Sequence, residues 1–282
     1  MGASGPAGTS AADAISPPRA DMPDMSGSYE QYISSGLYDR RYPHPNRRTL
    51  RLVKRRLRGG GRFLDVGGGT GRYTLPLLQM AGTSGVAHDI CPVARNTMAE
   101  RMSAFVRDGR LVIRGEDPET MAAAYPREFD LGLLAFGVLA HVPGRDERLR
   151  LLRAVCDMVK PEGTVILSVP NARRRFLAEQ RAAVSLVRAG ELEPGDILYE
   201  RGHGGDAIRM FYHLYTLDEV HRDLAAAGLR VESIEPESLL SERTVVSDPL
   251  LGRLDDLACS IAPASLGYDL LAVARPQPAG AR

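Results

Sequence analysis

The stretch that decides the fold is Arg62-Phe63-Leu64-Asp65-Val66-Gly67-Gly68-Gly69-Thr70-Gly71-Arg72. A short apolar run leads to an acid, Asp65, and glycines follow at the alternate positions 67, 69 and 71. Because glycine has no Cβ, a turn of this kind lets the backbone approach a ligand closely. A helix that follows the turn would offer unpaired N–H groups and a positive dipole end to an anion. The stretch therefore predicts a strand–turn–helix unit that binds a ligand.

Strands and helices alternate along the chain around this unit. Strand-like runs are predicted at 62–66, 85–89, 110–114, 130–136, 164–169, 230–234 and 268–274. Helices are predicted at 92–106, 145–160, 172–190, 216–228 and 248–261. Strands separated by helices favour an α/β fold, with a mainly parallel seven-stranded sheet and helices on both faces. Ligands of such a sheet bind at the carboxyl ends of its strands.

The remaining segments suggest four parts. Residues 1–28 are rich in Gly, Ala, Ser and Pro and are predicted to be a disordered tail. Residues 29–58 are predicted to form an N-terminal helical cap, in which Asn46 caps a helix over 47–58. Residues 59–276 would then form the main domain, with a substrate-binding insertion at about 172–215 that contains a loop over 193–215. Residues 277–282 are predicted to be a second tail.

Composition limits the classes of function. The 282 residues are 44% hydrophobic and 25% charged, and the formal net charge of +1 provides no overall field toward nucleic acid or membrane. The three cysteines are single and widely spaced, which predicts neither a metal site nor a disulfide framework. The apolar run 131–140 is too short to cross a bilayer, and the N-terminus lacks a signal-peptide pattern. We therefore expect a cytoplasmic location.

Two frames compete for the glycine turn. The dinucleotide-binding frame, Gly-x-Gly-x-x-Gly, fails because it places Arg72 at the third glycine. The frame acid-x-Gly-x-Gly-x-Gly resembles the first motif of the class I S-adenosylmethionine-dependent methyltransferases. Further stretches match that family in order at 85–90, 110–117, 129–134 and 151–164, and the resemblance extends loosely over 216–275. It implies a Rossmann-like fold, S-adenosylmethionine as cofactor and S-adenosylhomocysteine as product.

The resemblance also implies a set of cofactor-binding residues, which are Asp65, Gly67, Gly68, Gly69, Gly71, Asp89, Ile90, Glu116, Asp117 and Phe136. Asp89 would accept hydrogen bonds from the ribose hydroxyls, and either Glu116 or Asp117 would reach the adenine edge. Asp65 would either support the methionine end of the cofactor or bond to nearby amides. Ile90 and Phe136 would either border the cofactor or belong to the core.

Candidate acceptor residues follow from two further segments. His141 stands where the family often carries a histidine that faces the methyl-transfer centre, as a general base, as a positioning residue or in a purely structural role. The run 209–215 resembles an Arg-Tyr-Tyr-His stretch of methyltransferases that act on a modified wobble uridine of tRNA. It suggests Tyr212 and His213 as catalytic and substrate-binding residues and Arg209 for an acceptor anion; the alternative is a packed cover loop. Tyr38 and its neighbouring tyrosines would close a lid or simply pack.

The predicted function is methyl transfer to an oxygen or nitrogen of a small molecule, with a secondary metabolite as the expected acceptor. The near-neutral net charge argues against an RNA acceptor, because RNA binding requires several phosphate contacts. The basic 47–58 helix and the 209–215 run keep a tRNA wobble-uridine methyltransferase as the second hypothesis. The third is a non-catalytic scaffold that binds S-adenosylmethionine. We expect no membrane partner, no metal, and a monomer or homodimer.

Overall fold

The computed structural model describes residues 22–202 and 207–278. Nine strands lie within these ranges: β1 Gly61–Val66, β2 Thr83–His88, β3 Leu111–Arg114, β4 Phe129–Leu134, β5 Val159–Pro170, β6 Asp196–Arg201, β7 Ile208–His213, β8 Leu229–Ser238 and β9 Asp269–Pro276. Seven of them form one sheet in the order β3-β2-β1-β4-β5-β9-β8. Strands β1 to β5 are parallel, and β9 is antiparallel to both β5 and β8. The predicted seven-stranded, mainly parallel α/β sheet is confirmed.

The described helices alternate with these strands: α1 Met25–Ser34, α2 Leu37–Arg41, α3 Arg47–Arg56, α4 Thr74–Leu78, α5 Pro92–Arg101, α6 Ser103–Arg107, α7 Pro118–Ala124, α8 Arg145–Met158, α9 Leu177–Arg188, α10 Leu217–Ala226, α11 Glu242–Ser247 and α12 Pro249–Cys259. Among the described residues, no helix combines the length and the apolar character needed to span a membrane. The predicted helix over 145–160 ends two residues early, because the chain continues directly into β5 at Val159.

The N-terminal cap begins earlier than predicted. Asp24 accepts hydrogen bonds from the Ser26 and Gly27 amides and so starts α1 at Met25. Residues 25–28 therefore belong to the cap and not to the predicted tail, whose residues 1–21 lie outside the described part of the chain. The predicted cap at Asn46 is present, since its side chain accepts from the Arg48 and Thr49 amides.

The predicted loop over 193–215 contains an antiparallel hairpin instead, formed by β6 and β7. The sequence pattern does not indicate this hairpin, because residues 210–213 are all buried and the alternation of apolar and polar residues typical of a half-buried strand is absent. The preceding helix, α9, is also shorter than the predicted 172–190. This hairpin places Tyr199 and Tyr212 next to the carboxyl ends of the main strands, where both contact Phe176.

Candidate active site

The glycine turn lies directly after β1 and is tied to the end of β2. Gly67 and Gly69 have positive φ angles of 65° and 57°, a region that favours glycine. The Gly68 amide donates to the His88 carbonyl at 2.9 Å, and the Gly69 amide donates to Asp89 Oδ2 at 2.8 Å. The turn is thereby held open at the carboxyl edge of the sheet.

Gly67 is required for packing as well as for its backbone angle. A Cβ at this position would lie 2.4 Å from Val138 Cγ2 and 3.2 Å from Val138 Cβ, so the whole β-branched side chain would have to move. We expect Gly67→Ala to lower the free energy of unfolding by about 1–3 kcal/mol more than Gly109→Ala does. Gly109 is the matched control, since it also has a positive φ but a Cβ there would meet no atom within 4 Å. Equal losses in chemical denaturation would contradict the packing argument.

Gly71 has a different role from that implied by the resemblance. A Cβ there would lie 1.8 Å from Met102 Cε, and Gly71 is absent from the residues that line the cofactor-sized cavity. The helix expected to begin directly after it starts only at Thr74 and is five residues long. A helix this short provides little dipole for an anion, so another group must serve the carboxylate of a ligand.

A cavity of about 440 Å³ opens above the glycine turn. Its lining includes nine of the ten predicted cofactor residues, which are Asp65, Gly67, Gly68, Gly69, Asp89, Ile90, Glu116, Asp117 and Phe136. It also includes Tyr29, Tyr38, Arg72, His88 and His141. The volume and the largely apolar walls with a few convergent polar groups are typical of a small-molecule site.

Asp89 organises the turn in addition to facing the cavity. Its Oδ2 accepts from the Gly69 amide and its Oδ1 accepts from the Cys91 amide at 2.9 Å. Burial raises the pKa of this carboxyl, and the two amide hydrogen bonds oppose the rise. Each oxygen keeps a second lone pair that could accept a hydrogen bond from a ribose hydroxyl.

Asp65 is buried at the end of β1, where Oδ2 accepts a hydrogen bond from Thr74 Oγ1 at 2.6 Å. Burial raises the pKa of Asp65 to about 7 against the opposing effect of that bond. Of the two acids proposed for the adenine edge, Asp117 is engaged as the N-cap of α7 through the Thr120 amide and hydroxyl. Glu116 accepts from the Gly115 amide and lies 3.5 Å from Arg114 Nη1, but its side chain stays 44% exposed, which favours Glu116 for the adenine edge.

Arg72 is a cavity residue that the sequence analysis did not select. Its guanidinium lies 3.8 Å from the centroid of the Phe136 ring, and Nη2 donates to the Tyr38 hydroxyl at 3.1 Å. The buried Nε and Nη1 atoms have no hydrogen-bond partner among the described residues. A half-buried arginine with two enclosed, unused donor atoms is suited to a carboxylate, which the methionine end of S-adenosylmethionine carries. The sequence signal that could have identified Arg72 is its position directly after Gly71.

His141 closes the short 3-10 turn Leu139–His141 and is positioned from the hairpin. Nδ1 lies 3.0 Å from the carbonyl oxygen of Phe211, so this nitrogen must carry the proton and Nε2 is left as an acceptor. Burial lowers the pKa of His141 to about 3. The imidazole is therefore neutral at ordinary pH, and its ring packs between those of Tyr29 and Tyr212 at centroid distances of 5.1 and 4.5 Å.

A smaller cavity of about 30 Å³, which we call the inner chamber, adjoins the first and shares four lining residues with it, Tyr29, Tyr38, Phe136 and His141. Phe136 has a positive φ of 64°, held by its amide donating to Ser168 Oγ at 2.6 Å. The remaining lining residues of the chamber are Tyr32, Tyr42, Gly137, Ser168, Arg175, Tyr199, Arg201, Met210, Tyr212, Glu237, Glu242 and Asp269.

The structure separates the three residues predicted from the 209–215 run. Tyr212 lines the inner chamber. Arg209 is instead exposed on β7, and its carbonyl accepts from Ser28 Oγ. His213 is fully buried between two carboxylates, with Nδ1 2.7 Å from Asp196 and Nε2 3.0 Å from Glu219. We therefore assign His213 a structural role and remove it and Arg209 from the acceptor site, because successive residues of a strand point to opposite faces.

Comparison with known proteins agrees with this geometry. The sequence profile of a family described as "Methyltransferase domain" matches residues 38–234. Protein-L-isoaspartate O-methyltransferase 1 of Arabidopsis thaliana is 29% identical over 52% of this chain and 59% of its own length. A ubiquinone biosynthesis O-methyltransferase of Xanthomonas campestris pv. campestris is 30% identical over 40% of this chain and 44% of its own. The chain thus spans about half the length of the curated relatives it matches.

The fold has solved counterparts as well. An S-adenosylmethionine-dependent methyltransferase from Methanosarcina mazei superposes with a TM-score of 0.60 at 17% identity, over 80% of this chain and 97% of its own. The chain belongs to the methyltransferase domain family. Its fold is that of the class I S-adenosylmethionine-dependent methyltransferases, as its glycine turn and sheet order indicated.

Proposed function

We propose that the protein transfers the methyl group of S-adenosylmethionine to a small molecule whose reacting group enters the inner chamber. The observation that carries this proposal is that the two cavities adjoin. The larger one is lined by the residues proposed for the cofactor, and the smaller, more polar one shares Phe136 and His141 with it. The name of one relative, a ubiquinone biosynthesis O-methyltransferase, supports a small-molecule acceptor.

Each cavity residue has a simple task under this proposal. Arg72 would hold the methionine carboxylate, Asp89 the ribose and Glu116 the adenine edge. S-adenosylmethionine, when bound, supplies a methyl group already made electrophilic by a sulfonium. The protein therefore mainly has to align the acceptor, and alignment alone can lower the barrier by about 7–11 kcal/mol.

His141 is proposed to position the acceptor through Nε2. Its lowered pKa leaves it a weak base, since an effective general base has a pKa near the working pH. A neutral imidazole fixed by the Phe211 carbonyl is nevertheless a precise hydrogen-bond acceptor. Tyr212, which stacks beside His141, is proposed to line the same acceptor position.

The basic helix does not support a tRNA acceptor at this site. Arg47, Arg51, Lys54, Arg55 and Arg58 line a groove beside Gly59 and Gly82, next to the amino ends of β1 and β2. The cofactor cavity lies at the carboxyl ends, which are about 20 Å away along a six-residue strand. Asp256 also neutralises part of this face through Arg47, Arg48 and Arg51.

The cofactor site is tested by replacing Asp89 with asparagine. An amide in place of the carboxylate can accept with only one atom, so we expect the affinity for S-adenosylmethionine to fall about tenfold, a loss of one strong hydrogen bond. Titration calorimetry measures this, with Asp108→Asn on the exposed end of α6 as the control. Unchanged affinity in Asp89→Asn would exclude the ribose assignment, and no binding to the wild type would exclude the function.

A further inference from the structure

Three carboxylates to which the proposed function assigns no role lie together in the wall of the inner chamber. Glu237 comes from β8, Glu242 from α11 and Asp269 from β9, and their side chains are only 2%, 4% and 5% exposed. One oxygen of each lies within 4.8 Å of the others. Burying three negative charges together is costly unless cations or hydrogen bonds compensate them.

The compensation present in the protein is incomplete. Glu237 accepts from Thr49 Oγ1, Glu242 Oε2 accepts from Asn46 Nδ2 at 3.1 Å, and Asp269 Oδ1 accepts from Arg175 Nη1 at 2.5 Å. Glu242 Oε1 has no hydrogen-bond partner among the described residues although it is buried. Burial, with the negative charge of Asp269 nearby, raises the pKa of Glu242 to about 7. Three carboxylates thus line the chamber together with two guanidiniums, those of Arg175 and Arg201, and the charge of Arg72 also acts on Glu242. The carboxylates exceed the lining guanidiniums by one, which favours binding of a further cation.

The rest of the chamber is suited to an organic cation. Several tyrosine rings and Phe136 form its walls, and aromatic faces attract cations. Tyr32 is 4% exposed, and its hydroxyl lacks a hydrogen-bond partner among the described residues. The volume of about 30 Å³ holds a group the size of an ammonium head. The nitrogen must remain open toward the larger cavity, where the methyl group of the cofactor lies under the proposed function.

We propose that Glu237, Glu242 and Asp269 bind the protonated amino group of the methyl acceptor, so that the acceptor is an amine and the product an N-methylated amine. This inference rests on the proposed function and specifies its substrate class. An ammonium group has three donors, which matches the three carboxylates. A Mg²⁺ or Ca²⁺ ion fits less well, since these ions prefer six or more oxygen ligands and either would lie beside the Arg175 guanidinium.

The cluster also provides a destination for the proton that must leave. The ammonium nitrogen gives one proton to the Glu242 carboxylate, and the neutral amine then turns so that its lone pair faces the methyl carbon. The nitrogen then forms its bond to the methyl carbon while the carbon–sulfur bond breaks, and that bonding pair remains on sulfur. The positive charge passes from sulfur to nitrogen, so atoms and charge balance, and the product is a methylated ammonium ion.

Binding of propylamine and of its neutral isostere 1-propanol tests the inference without knowledge of the natural acceptor. Both are titrated by ligand-observed NMR into protein saturated with S-adenosylhomocysteine. We expect propylamine to bind at least about tenfold more tightly than 1-propanol. Glu242→Gln and Glu237→Gln should each remove this preference and leave the affinity for S-adenosylhomocysteine unchanged. Glu232→Gln, on the outer part of β8 and paired with Arg56 and Arg275, is the matched control.

A further variant tests the inference even if the carboxylate variants misfold. Tyr32→Phe removes only an unpartnered hydroxyl, so the fold should persist while propylamine binding weakens by several-fold. Equal binding of propylamine and 1-propanol to the wild type would overturn the inference. The inference would also be overturned if the protein bound Mg²⁺ or Mn²⁺ tightly from MgCl₂ or MnCl₂ alone and Glu242→Gln abolished this binding, since this result would define a metal site. Failure to bind S-adenosylhomocysteine would refute the proposed function instead.

Discussion

An enzyme with asparagine in place of His141 is expected to turn over its acceptor about a hundredfold more slowly than the wild type, with unchanged affinity for S-adenosylmethionine. The asparagine amide can replace Nδ1 as donor to the Phe211 carbonyl, so the local fold is kept. It cannot replace Nε2, which is the atom proposed to contact the acceptor. Misplacement of a reacting group by about 1 Å is enough for a loss of this size.

The measurement is single-turnover transfer of a radiolabelled methyl group to any acceptor that the wild type methylates. His44→Asn is the control, since His44 is exposed near α3. Because the pKa of His141 is about 3, protonation of this residue should not affect the rate between pH 5 and 8. A full rate in His141→Asn would remove the residue from the site, and an apparent pKa near 6.5 that disappears in the variant would contradict its neutral state.

The second large effect is expected from replacing His213, and it concerns the free energy of unfolding instead of the reaction rate. Both ring nitrogens face carboxylates, so the buried imidazole donates from both and is held as a cation between Asp196 and Glu219. Burial by itself lowers the pKa of His213, but the two hydrogen bonds outweigh it and raise the pKa above its usual value. Replacing His213 with glutamine leaves two acids without their cation. We expect a loss of about 3–5 kcal/mol in the free energy of unfolding.

The pH dependence of this loss has a definite sign. A group whose pKa is raised by folding stabilises the folded state fully below its unfolded pKa, about 6.5 for histidine. That contribution is lost as pH rises through the folded pKa. The difference between wild type and His213→Gln should therefore be largest near pH 6 and smaller at pH 9. Urea denaturation at both values measures it, with His221→Gln on the exposed side of α10 as the control. A difference that grows with pH would rule out the imidazolium.

The residues predicted for the cofactor lie on one cavity, Gly71 excepted, because their determinants are local. The glycines at 67 and 69 need their backbone angles, and Asp89 follows its strand directly. In a parallel sheet these segments end at the same edge, so their spacing alone places them together. Gly71 is not among the residues that line the cavity, and it packs against Met102. The sequence did not indicate this contact, because Met102 is thirty-one positions away.

The residues predicted for the acceptor do not all lie together, for a related reason. The 209–215 run was correctly selected as unusual, but its residues were assigned before its structure was known. Pairing of β6 with β7 sets which side chains face the chamber. It turns Tyr212 inward, leaves Arg209 exposed and encloses His213 with Asp196. A shift of one residue in register would exchange these roles, and no local pattern fixes that register.

By itself the sequence determined the α/β sheet, the glycine turn and the type of cofactor, since hydrophobic period and backbone conformation are properties of short segments. Only the tertiary structure decided what surrounds the acceptor. Arg175, Glu237, Glu242 and Asp269 come from separate elements and have no shared spacing, yet they line one chamber. Their charges interact strongly only where burial removes water and brings them within a few ångströms of each other. The packing of the whole chain decides which residues are buried in this way.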